Sequence, residues 1–225
     1  MKSIKLKNNT FHNKLTNKLT KNIGLKLFRL GLLLLATAPS LSFLILLFSA
    51  FLGSFNREDE FFEDRYNWIL IISSILMIIS SILISLEFIK IPELNISLIW
   101  VGLLNWLPLF WCFWSFQKYL KTSTDRLVSA KLFIIGSMPV LVSGFCQNFL
   151  GLYGPYRFFN NLIIWYQRPI SESGGVSGLF NNQNYAGAWL CIIFPLCMCF
   201  LLINYKKIFL KFINFAVVIS FVTMI

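Results

Sequence analysis

The sequence predicts an all-α fold, a polytopic transmembrane helical bundle of about six to seven membrane segments. Three observations predict it. Of its residues 57% are hydrophobic and 13% charged, where an ordinary soluble domain carries about 25% charged residues. The charges fall in short clusters between apolar runs near the ~20 residues a helix needs to cross a bilayer. The runs Leu70–Leu86 and Ala186–Ile203 are almost continuous, without the alternation that a transmembrane β-barrel requires.

Residues 1–26 read as a basic cytoplasmic tail. Lys2, Lys5, Lys7, Lys14, Lys18, Lys21 and Lys26, with Arg29 just beyond, have no acid among them. A net charge of +11 invites a nucleic-acid partner, but a basic tail directly before an apolar run faces anionic membrane lipid instead. Membrane lipid is therefore an expected partner and nucleic acid is not. Ala36-Thr37-Ala38 has the form of a signal cleavage site, yet Pro39 follows at once and apolar sequence continues to about Phe55. The segment reads as retained, and residues 27–225 form the transmembrane domain.

The apolar runs cover about 27–55, 67–86, 96–116, 132–153, 185–203 and 213–225. If each were one span after a cytoplasmic tail, Gln117–Lys131 and the loop with Lys206, Lys207 and Lys211 would lie outside, against the cytoplasmic excess of Lys and Arg. A break near Ala38-Pro39-Ser40, where proline disfavours continued helix, turns 27–55 into two short crossings and moves both basic loops inside. That run is only about 43 Å long as helix, so the crossings must be short. The segment of about 154–184 then becomes an extracytoplasmic loop. The run 213–225 is too short to span, so the chain is expected to be truncated at its carboxyl end, as the amino-terminal part of a longer protein.

Few residues can carry chemistry. Cys112, Cys146, Cys191, Cys197 and Cys199 lie in or beside apolar runs, and His12 in the tail is the single histidine. No metal site or nucleophile–base set can be assembled from them. Asn105 and Gln147-Asn148 fit hydrogen bonds between helices. Glu87 and Lys90 sit at a segment end, so nothing marks an intramembrane proton path.

Polar residues concentrate in the 154–184 loop. Phe158–Trp165 reads as a stretch lying in the membrane interface. Arg157 and Arg168 suit a lipid pyrophosphate, since guanidinium binds phosphate with two parallel donors; they equally suit snorkelling to lipid headgroups. Gly178, Asn181, Asn182, Asn184 and Gly187 fit a tight turn followed by a capped helix.

The pattern Gly178-x-Phe180-x-Asn182-Gln183-Asn184-Tyr-x-Gly187, entering an apolar helix with Pro195, resembles the O-antigen ligase/polymerase-like family of bacterial membrane proteins, cyanobacterial-type members included. The resemblance implies a metal-independent glycosyltransferase of the bacterial inner (plasma) membrane, multi-pass and without cofactor. It would transfer glycan from a polyprenyl-diphosphate carrier to a lipid or polysaccharide acceptor. The polyprenyl-diphosphate-linked glycan is then the expected partner, with Arg168, Arg157, Gly178, Phe180, Asn182 and Asn184 as substrate-binding residues. No catalytic residue is assigned, because the family's large later loop and its histidine are absent. Gln183 stands where the family has proline, and Arg168 lies farther from Gly178 than the family arginine does. The alternative is a transporter of bicarbonate or another small solute.

Overall fold

The computed structural model describes residues 20, 22–54, 64–86 and 96–203. The basic tail with His12, the pair Glu87 and Lys90, the loop at 204–211 and the run 213–225 lie outside the described residues.

The run 27–55 is broken where proline was expected to break it. Helix α1 covers 22–34, and α2 covers Pro39–Ser54. Proline opens α2 because its missing N–H has no partner in a first helical turn anyway, and Ala38 carbonyl accepts the first bond, from Ser42 N at 2.8 Å. Then follow α3 (Arg65–Ser85), α4 (Ile96–Phe116) with a 3-10 turn at Gln117–Tyr119, and α5 (Ser123–Leu150). A two-stranded ribbon, β1 (Tyr156–Phe158) and β2 (Ile163–Trp165), precedes the short α6 (Ile170–Ser173) and the long α7 (Gln183–Ile203). Among the described residues four helices, α3, α4, α5 and α7, are long and apolar enough to cross a membrane. At 16 residues α2 is shorter, about 24 Å.

The chain divides into two compact units, Met1–Leu25 with Leu47–Lys121, and Lys26–Leu46 with Thr122–Ile225. In the first, α3 and α4 run antiparallel. Buried Asn67, at the start of α3, accepts from Gln117 Nε2 just past the end of α4 at 3.4 Å. Tyr119 anchors the other elements: its hydroxyl donates to Ser49 carbonyl at 2.9 Å, and Ser49 Oγ donates to Gly24 carbonyl at 2.9 Å. Along α3 the large side chains Ile72, Ile75, Leu76, Ile79 and Leu83 are exposed. A helix this apolar, with its side chains outward, has lipid as its solvent. The chain is a membrane protein.

In the second unit α5 is the spine. Thr122 caps it, accepting from Asp125 N at 3.0 Å, and Gly151 closes it in the left-handed conformation at φ 62°. Arg29 of α1 pairs with Asp125 at 2.8 Å. One turn later the Leu33 carbonyl lies where a β-carbon on Gly136 would sit, so glycine here is a requirement of close approach. Thus α1 follows α5 from its amino end to its middle and turns back into α2, where Ser42 Oγ donates to Gly31 carbonyl at 2.7 Å. Ala36, Val140, Leu141, Leu179, Leu190, Ile193 and Cys197 form the core. The hairpin tip therefore stands beside mid-α5, well short of its carboxyl end.

Candidate functional site

The loop after α5 is folded by one buried side chain. Gln147, fully buried on α5, uses both ends of its carboxamide. Its Oε1 accepts from Ser177 N at 3.1 Å and Gly178 N at 3.0 Å. Its Nε2 donates to Ser177 Oγ at 3.2 Å and to the Arg168 carbonyl. The amide orientation follows from these partners, since only nitrogen can face a carbonyl and only oxygen two N–H groups. Ser177 Oγ also accepts from Arg168 N at 3.0 Å. Both backbone polar groups of Arg168 are thus held, and with them the base of its side chain. A network in which the Gln147 carboxamide uses both its oxygen and its nitrogen twice is the kind that fixes one conformation.

A second set of bonds seats the ribbon. Gln167, buried and at φ 38°, donates from Nε2 to Ser143 carbonyl at 3.2 Å. Trp165 Nε1 donates to Thr37 carbonyl at 2.8 Å, and Tyr166 N to Leu179 carbonyl at 3.1 Å. The stretch Phe158–Trp165 folds as part of this antiparallel hairpin, with Arg157 opposite Ile164 and Tyr156 opposite Trp165. The reason is local. Asn160 and Asn161 both take positive φ, 52° and 71°, and Leu162 N closes the turn on Phe159 carbonyl at 3.1 Å. Positive φ at both central positions is what a tight hairpin turn requires, and asparagine tolerates it.

Alternation along the ribbon separates two faces. Tyr156, Phe158, Trp165 and Gln167 turn to one side, where they line an apolar cavity of about 320 Å³ against α5. Arg157, Tyr166 and Arg168 turn to the other, into a cavity of about 380 Å³ completed by Gly154, Pro155 and Pro169. The two arginines chosen from sequence therefore meet in one pocket. Among the described residues the one ion pair is Arg29–Asp125, so neither guanidinium has a carboxylate partner there. Both cavities fall within the ~300–1,000 Å³ typical of ligand sites.

The remaining expected residues build the turn rather than line this pocket. Gly178, at φ 55°, is buried against Val140. Phe180 packs on Trp189 with ring centroids 5.8 Å apart. Asn182 caps α7, accepting from Tyr185 N at 2.9 Å. Asn184 is exposed in the first turn of α7. Among the described residues no group of three His, Cys, Asp or Glu side chains could hold a metal ion. Among the described residues that line it the pocket has no imidazole or carboxylate, and its two guanidinium groups are of the type that suits an anion. Set against family models, curated proteins and solved structures, the chain matches none.

Proposed function

We propose that this chain is part of an O-antigen ligase-like glycosyltransferase, and that its Arg157–Arg168 pocket holds the diphosphate of a polyprenyl-linked glycan. The observation that carries the reading is the meeting of two arginines, without carboxylate partners among the described residues, in one pocket on a loop locked to a membrane helix. Two guanidinium forks suit two adjacent phosphoryl groups, and each can donate in bidentate fashion. The pocket positions the carrier; the acceptor-activating base comes from outside the described residues.

This reading puts the protein in a bacterial plasma membrane, multi-pass, with α3, α4, α5 and α7 as spans. A hairpin of α1 and α2 enters and leaves on the cytoplasmic side. Helix α1, about 20 Å long, ends beside mid-α5, which favours a re-entrant hairpin over two short crossings; the sidedness of every later loop is the same either way. Lys121, Arg126 and Lys131 then face the cytoplasm, and the arginine pocket faces outward. With native cysteines replaced, a cysteine at exposed Ser171 is expected to react with an impermeant maleimide added to intact spheroplasts. A cysteine at exposed Thr124 is expected to react only after lysis. The opposite pattern would invert the topology and remove the pocket from the outer face.

The function is tested by equilibrium binding in nanodiscs. Geranylgeranyl diphosphate is expected to bind at least about tenfold more tightly than geranylgeraniol, the difference of roughly 1.4 kcal/mol that one good charge-assisted contact supplies. Equal binding of the two would contradict a diphosphate site.

A further inference from the structure

The apolar cavity on the far face of the ribbon has no role in anion binding, yet it is built from the same strands. Arg157 stands between Tyr156 and Phe158, and Arg168 follows Gln167, so each arginine has a sequence neighbour in the cavity wall. The wall on α5 includes Val142, Ser143 and Cys146. Val142, Tyr156, Phe158 and Leu152 are exposed at its rim, so its opening is apolar, as an opening toward lipid would be. Inside, Ser143 is 8% exposed, and its buried Oγ has no hydrogen-bond partner among the described residues. A buried hydroxyl without a partner is rare, and Ser143 is one of the residues lining the cavity.

We propose that this cavity receives the first part of an apolar chain whose phosphorylated head lies on Arg157 and Arg168, so that the ribbon is straddled by a single polyprenyl phosphate ligand. The inference rests on the diphosphate reading and adds the seat of the chain. The oxygen that joins head to chain would pass the ribbon edge. An apolar chain fits the wall because burying its surface gains about 25 cal/mol per Å², whereas a polar occupant would leave its own groups unpaired.

Cys146 supplies a reporter, being a free and partly exposed thiol in the cavity wall. In a variant retaining Cys146 as its one cysteine, reconstituted in nanodiscs, alkylation by N-ethylmaleimide would be followed by mass spectrometry, with binding of radiolabelled farnesyl diphosphate measured on the same sample. Farnesyl diphosphate is expected to slow Cys146 alkylation at least about fivefold, pyrophosphate and farnesol far less, and Arg157→Ala/Arg168→Ala is expected to abolish the protection. Binding that depends on the arginines while Cys146 reacts at its free rate would leave the diphosphate site standing and overturn the chain seat. Protection by farnesol as strong as by farnesyl diphosphate, and unaffected by the arginine changes, would show a general apolar cavity and overturn the shared ligand. Absence of binding would overturn both.

Discussion

Gln147→Leu is expected to be the most damaging single change in the loop. Leucine of similar size keeps α5 apolar but leaves Ser177 N, Gly178 N and the Arg168 carbonyl without their partner. Each buried polar group so stranded costs about 1–3 kcal/mol, so the loss should reach roughly 3–5 kcal/mol, at the severe end for point changes. Scanning fluorimetry in detergent should show a clear drop in melting temperature, and protease should cut within 154–184 where the wild type resists. Because the network also fixes both backbone groups of Arg168, diphosphate binding should fall even at temperatures where the protein remains folded. A variant with an unchanged melting temperature would mean that the loop does not depend on this side chain.

Arg168→Lys should show the largest effect on ligand binding from a charge-conserving change. Lysine keeps the positive charge and loses the planar fork, so one of two parallel donors is gone. A charge-assisted hydrogen bond contributes about 1.5–3 kcal/mol, which predicts at least about a tenfold weaker affinity for geranylgeranyl diphosphate. Arg157→Lys should be milder, about threefold, since Arg157 lies on the exposed strand β1 while the backbone of Arg168 is held by Ser177 and Gln147. A side chain with a fixed base loses less freedom on binding and gives more affinity. Retention of full affinity in Arg168→Lys would make this arginine a headgroup anchor.

Much of this architecture is legible in the sequence, for physical reasons. Apolar runs of spanning length identify α3, α4, α5 and α7, and Pro39 marks the break between α1 and α2 because a proline cannot continue the preceding helix. Asn182 reads correctly as a helix cap. The ribbon is harder to see. Its signal is Asn160-Asn161 between Tyr156–Phe158 and Ile163–Trp165, but strands of three residues are too short for alternation to declare itself, and their aromatics match an interfacial stretch equally well. The two arginines are identifiable as candidate anion ligands by type. Their convergence is not, because it depends on the parity of the strands and on the turn at Gln167. Gln147 illustrates the same limit: a polar residue near a helix end implies a hydrogen-bonded partner, yet nothing in the sequence says that the partner is the backbone of residues 168, 177 and 178.

The most direct measurement is a double-mutant cycle on geranylgeranyl diphosphate affinity, comparing the wild type, Arg157→Ala, Arg168→Ala and the double variant in nanodiscs. Two side chains that grip one ligand interact through it, and contacting pairs show coupling of about 0.5–3 kcal/mol. Coupling of roughly 1 kcal/mol is expected, with either single change costing most of what the pair costs together. Strict additivity, within about 0.3–0.5 kcal/mol, would mean that the two arginines serve separate headgroups and that no shared diphosphate site exists.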